Sequence, residues 1–141
     1  MPVYESSMNF SKTPAEVFAY LTNFENQKKL NQHIVSMEVP KHLEVGSQYK
    51  MVTANGQFKF EITNEIMDLQ PERLLRVKTL AAPPVEEMIT TQILESTGSG
   101  TKVIMQLEMP PSKYGNEDMM KQQMLILLND SLTMYKKDME A

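Results

Sequence analysis

Apolar and polar positions alternate through most of the chain, and the period changes from two to 3.6 at two places. Val3 to Phe10 reads as a first strand. In the stretch that follows, Thr13 suits a helix cap, Pro14 suits the first helical position, and Glu16 stands three residues after Thr13 to close a capping box. A helix is therefore predicted from Pro14 to about Thr22, with Val17, Phe18 and Leu21 on one buried stripe. Asn23 then caps a second, shorter helix through FENQKKLN. From His33 the signal turns to strands: IVSMEV ends at Pro40, and the next strand begins after Gly46.

Asn55-Gly56, inside SQYKMVTANGQFKFEITNE, is the dipeptide preferred in two-residue hairpin turns, and such a turn sets the register of both arms. Placing Ala54 opposite Gln57 pairs Thr53 with Phe58, Met51 with Phe60, Tyr49 with Ile62 and Ser47 with Asn64. That face is apolar, while Lys50, Lys59, Glu61 and Glu65 fall on the other. Asn64 interrupts the apolar set, and a buried amide needs partners. Either it orients a ligand or a bulge turns it outward, since Met67 and Leu69 fall on the opposite parity.

ERLLRVKTL predicts a fifth strand, and EEMITTQILESTGSGTKVIMQLEM predicts two more joined by a Gly/Ser turn. Setting Glu95 against Lys102 pairs Leu94 with Val103, Gln92 with Met105, Thr90 with Leu107 and Met88 with Met109, all inward. The last segment, from about Asn116 to Glu140, opens with an asparagine cap and the acids Glu117 and Asp118, and approaches its end with Lys136 and Lys137. Both charge signs suit a helix dipole. Its apolar arc, with Met120, Met124, Leu127, Leu128, Leu132, Tyr135 and Met139, is wide enough for contact on more than one side.

Composition narrows the function classes. A chain of 141 residues suits one domain, 1–141, with a sizeable core, and 41% hydrophobic against 23% charged residues excludes the disordered class. A net charge of -4 with scattered lysines offers no footprint for a phosphate backbone, so no nucleic acid partner is expected. Zero cysteines exclude disulfides and thiolate chemistry. No run approaches the roughly 18 apolar residues of a transmembrane segment and no leader pattern opens the chain, which points to a cytoplasmic protein. Thirteen methionines and no tryptophan suit either an adaptable pocket or a methionine-filled core.

The element order, with TPAEVFAYLTNFENQKKLNQHI, VGSQYKM, LESTGSGTKVIMQLEM and the closing helix, resembles the START-like superfamily, in its polyketide cyclase/dehydrase and lipid-transport branch. The resemblance covers nearly the whole chain. It implies an α+β helix-grip fold: a curved antiparallel sheet of about seven strands around a long C-terminal helix, with two short helices after the first strand closing one end of a cavity. Many relatives carry a tryptophan near the end of the second short helix, where this chain offers Leu30, with His33 close by.

The inward faces then propose a ligand-binding set of Leu30, Tyr49, Met51, Phe58, Phe60, Asn64, Thr90, Gln92 and Met105, with Met120, Met124 and Leu128 from the last helix. This lining holds no charged side chain. It suits a hydrophobic small molecule, lipid-, quinone- or polyketide-like, bearing a hydroxyl, carbonyl or amide, and it equally suits a filled core. His42 reads as a loop residue, and neither histidine stands at metal-ligand spacing, so no metal and no cofactor is expected. No GxSxG elbow or phosphate cradle occurs. Cyclase or dehydratase chemistry would have to recruit Tyr49 or His33 as acid or base, and a protein-interaction or chaperone-stimulating module is the third function the family resemblance admits.

Overall fold

The computed structural model describes residues 2–82, 86–110 and 116–140, with Asn55 described in its backbone alone. The chain runs β1 (Val3–Phe10), α1 (Pro14–Thr22), α2 (Glu25–Leu30), β2 (Ile34–Glu38), β3 (Gln48–Asn55), β4 (Phe58–Gln70), β5 (Leu74–Thr79), β6 (Met88–Ser96), β7 (Thr101–Glu108) and α3 (Glu117–Met139). Among the described residues these seven strands form one antiparallel sheet in the order β1-β7-β6-β5-β4-β3-β2. The first crossover, through α1 and α2, carries the chain from one edge of the sheet to the other. With α3 as the closing helix, this is the α+β helix-grip arrangement.

Local chemistry starts each helix. The Thr13 hydroxyl accepts from the Glu16 amide at 3.2 Å and meets the Glu16 carboxylate at 3.2 Å, so cap and first turn hold each other. Asn116 caps α3 through the Met119 amide at 3.0 Å. The second helix departs from expectation. Its N-cap is Phe24, and Asn23 only accepts from the Glu25 amide at 3.3 Å. The Phe24 side chain is needed in the core, where it is 2% exposed.

The β3–β4 register also differs from the sequence expectation. Asn55 pairs with Phe58, Thr53 with Phe60, Met51 with Ile62 and Tyr49 with Asn64. The loop residues are thus Gly56 and Gln57, with Gly56 at φ +64° in the first central position, the placement of glycine in a II′ turn. Relative to Ala54 opposite Gln57, the register slips by two, which leaves each side chain on its expected face. The β6–β7 pairs occur as expected from Glu95 with Lys102 to Thr90 with Leu107. The ladder then ends at Ile89 with Glu108, and Met109 lies beyond β7.

A bulge does interrupt β4, between Ile66 and Asp68, after Asn64 and not at it. Asn64 therefore stays inward at 2% exposure, and the extra residue Met67 is 40% exposed. Beyond the bulge the parity inverts, and Leu69 packs inward.

Two buried clusters result. The larger joins Tyr4, Phe10, Val17, Leu21, Leu94, Val103, Met105 and Leu107 to Leu128 and Leu132 of α3, because α3 packs against β1 and β7. The smaller joins Phe24, Tyr49, Ile66 and Leu75. Leu132 and Val17 are fully buried, each worth about 1.5–3 kcal/mol of apolar transfer. The outer face of the sheet carries ion pairs, Lys50 with Glu61 at 3.5 Å and Arg76 with Glu108 at 3.1 Å, both exposed enough to add little stability.

Candidate functional site

A chamber of about 230 Å³ lies where the two clusters meet. Its floor is made by two rows across the sheet. One runs Tyr49, Asn64, Thr79, Met88; the other runs Leu75, Gln92, Met105. Met51, Val77 and Thr90 extend the floor, while Phe24 and Gln27 form an end wall and Tyr135 of α3 a roof. Alternation explains the set: in β5, Arg76 and Lys78 point outward, which leaves Leu75, Val77 and Thr79 to face the chamber. Among the described residues, every one that lines it is uncharged.

The polar groups in this lining are neutral hydroxyls and amides. The Thr79 hydroxyl donates to Asn64 Oδ1 at 2.7 Å, and the pair is buried. Among the described residues Asn64 Nδ2 has no hydrogen-bond partner. Phe24 stacks on Tyr49 with ring centroids 4.3 Å apart and 22° between planes. Burial pushes the Tyr49 phenol well above the ordinary tyrosine range, with a smaller contribution from Tyr135, and burial raises Tyr135 as well. Both hydroxyls are therefore neutral hydrogen-bond donors near neutral pH, and Tyr49 is not a general base there.

A second hollow of about 580 Å³ continues outward from the chamber, sharing Gln27, Met51 and Tyr135 with it. This cleft separates α2 and the start of β2 from α3. Leu30 and Ile34 line one side together with the polar Lys29, Asn31 and Gln32, and Leu127, Ser131 and Met134 line the other. Leu127 is 51% exposed and Met134 42%, although both are apolar. His33 stands at this cleft, exposed, with Nδ1 3.2 Å from the Ala54 carbonyl. Nearby, Asp138 joins three helices: it accepts from the Tyr20 hydroxyl at 2.8 Å and pairs with Lys29 at 2.8 Å.

The residues singled out from the sequence divide into three groups. Tyr49, Met51, Asn64, Thr90, Gln92 and Met105 meet at the chamber, and Leu30 lines the outer cleft. Met120, Met124 and Leu128 instead pack in the larger cluster beneath α3, away from the hollow. Phe58 is 69% exposed and stacks on Phe60 at 6.5 Å near the hairpin tip, where the strands outrun the chamber, and neither ring lines it. His42 is an exposed residue of the β2–β3 loop.

Phe24, Gln27, Leu75, Val77, Thr79, Met88 and Tyr135 line the chamber without having been singled out. The alternation of Arg76 and Lys78 was the available signal for Leu75, Val77 and Thr79. Nothing local marks Phe24, whose role follows from where α2 docks. Among the described residues no three His, Asp or Glu side chains gather as a metal site, and no helix is long and apolar enough to cross a membrane.

Solved structures share the fold. A Chromobacterium violaceum protein matches at TM-score 0.77 and 18% identity over 100% of this chain and 99% of its own. A Thermus thermophilus protein matches at 0.74 and 16%, over 98% and 97%. The di-domain ARO/CYC StfQ from the steffimycin biosynthetic pathway matches at 0.70 and 12%, over 97% of this chain and 48% of that one. Among curated proteins no sequence relative is found. The family described as polyketide cyclase / dehydrase and lipid transport matches residues 1–140, and to that family this chain belongs.

Proposed function

We propose that this protein binds a neutral, largely apolar small molecule, lipid-, quinone- or polyketide-like, in the chamber between its sheet and α3. The observation that carries this reading is a hollow of about 230 Å³ whose lining is uncharged among the described residues and which opens into a larger cleft of mixed apolar and polar lining. A packed interior leaves few voids larger than a water molecule. An ion would find no counter-charge inside, whereas an apolar guest would replace exposed apolar surface by contact. The family description, which includes lipid transport, agrees with carriage of such a guest. The cytoplasm is the proposed location.

Native mass spectrometry of the purified protein, followed by a thermal-shift panel of fatty acids, quinones and aromatic polyketides, tests it. Stabilisation is expected from at least one class; a ligand at a hundredfold its Kd adds about 2.7 kcal/mol. An empty protein that no panel member stabilises defeats the proposal.

A second reading is ring closure or dehydration of a polyketide-like substrate, favoured by the family description and by the shared fold with the ARO/CYC protein StfQ. Here Tyr49 would donate a hydrogen bond to a developing enolate, in keeping with its raised pKa. Tyr49→Phe would then lower turnover of a model polyketide while leaving its affinity within a few-fold. Equal turnover by Tyr49→Phe removes this mechanism.

A further inference from the structure

The orphaned amide of Asn64 specifies more about the guest than its greasiness. We infer that the bound molecule presents a neutral acceptor oxygen, of the carbonyl kind, to Asn64 Nδ2 at the inner end of the chamber, and directs its apolar remainder outward into the cleft between α2 and α3. This rests on the binding function proposed above.

The amide's orientation follows from Thr79. Its hydroxyl hydrogen is satisfied by Asn64 Oδ1 at 2.7 Å, which leaves one unpaired group, Nδ2. Turning the amide over would strand both the hydroxyl hydrogen and Oδ1, so the observed arrangement has fewer unmet groups. At 2% exposure, an unpaired N–H pair carries a desolvation cost that a guest oxygen relieves. Tyr49, paired with Asn64 across the sheet, adds a phenol to the inner lining, and Tyr135 adds another where chamber and cleft meet. Both are protonated near neutral pH.

A carboxylate would also accept from Nδ2, but it would be buried with no cation among the described lining residues. A neutral oxygen is the better match. At the other end, Leu30, Ile34, Leu127 and Met134 offer apolar surface, part of it exposed, among polar neighbours that include Lys29 and His33. A guest anchored at Asn64, which lines the chamber and not the cleft, extends toward the cleft because the two hollows meet at Gln27, Met51 and Tyr135.

The test compares two probes of one shape, an acetylnaphthalene and the corresponding isopropenylnaphthalene, in which a CH₂ group replaces the carbonyl oxygen. Titration of the full chain is expected to show the ketone binding about tenfold tighter. The Asn64 side-chain amide resonances should move with the ketone and stay with the alkene. Nuclear Overhauser contacts should join the acetyl methyl to Thr79 and the far ring to Leu127 and Met134. Asn64→Leu should bring the two affinities within about twofold of each other; if that variant does not fold, the wild-type resonances carry the same comparison. Equal affinities with an unmoved Asn64 amide overturn the inference and leave the binding function standing, as does a reversed set of contacts. Absence of binding by both probes overturns the inference, and joined to failure of the wider panel it overturns the binding function as well.

Discussion

The ring of Phe24, between the two short helices, lies on the ring of Tyr49 from β3 with centroids 4.3 Å apart, and this stack ties the helical end wall to the floor of the chamber. Phe24 is 2% exposed and Tyr49 4%, so the contact excludes water from the deep end. Phe24→Ala removes the wall and leaves a cavity beside Ile66 and Leu75. Its expected cost is about 3–5 kcal/mol in urea denaturation, with Phe24→Leu losing less. A loss below about 1 kcal/mol would mean that α2 does not depend on this contact.

Tyr4 supplies the opposite case. Its ring belongs to the larger core cluster, but its buried hydroxyl has no partner among the described residues. Tyr4→Phe removes the unmet hydroxyl and keeps the ring, so stability should rise by about 1 kcal/mol. Calorimetry showing a clear drop in Tm would reveal a bond to that hydroxyl in solution.

Gly100 is required by close approach. A Cβ at this position would collide with the Phe10 carbonyl oxygen, where the β6–β7 turn meets the end of β1. Gly100→Ala must therefore displace backbone and should cost about 1–3 kcal/mol. Gly98, at φ +85° in open space, is a different case: Gly98→Ala meets no neighbour and is opposed by its dihedral angle alone. Chemical denaturation of both variants separates collision from conformation, and an unchanged Gly100→Ala midpoint would contradict the collision.

Acid should loosen the end of α3. The Lys29 ammonium and then the Tyr20 hydroxyl hold the Asp138 carboxyl below its ordinary value of 3.8, and bonds from the Ser11 hydroxyl and amide hold Glu140 below its ordinary value of 4.5. Folded values below unfolded ones mean that the stabilisation is complete above the unfolded values and is lost as the pH falls through the folded ones. Wild-type Tm should thus fall on acidification below about pH 4. Asp138→Asn with Glu140→Gln should start lower near neutrality and lose less on acidification. Parallel curves for the two proteins would show that neither carboxylate contributes.

Much of this architecture is local in origin and could be read along the chain. The helix start at Pro14, the cap at Asn116, the β6–β7 register through Glu95 and Lys102, and the inward parity of Tyr49, Met51 and Asn64 all follow from turn chemistry and period-two alternation, which act within a few residues. The hairpin register did not follow. A slip of two residues keeps each face intact, so hydrophobic patterning does not distinguish an Asn55-Gly56 turn from the Gly56-Gln57 turn that forms. Strand length likewise carried Phe58 and Phe60 past the end of the chamber while their parity remained inward.

By itself, then, the sequence determined which elements form, in what order, and which side of each strand meets the core, because propensity, capping and alternation are properties of neighbours in the chain. Only the tertiary structure decided that α3 lies over β1 and β7, that Phe24 and not Leu30 closes the inner end, and that Met120, Met124 and Leu128 fill a core while Thr79 sets which way the Asn64 amide is turned. Those outcomes depend on where a helix settles across a sheet, and that is set by the joint packing of residues far apart in sequence.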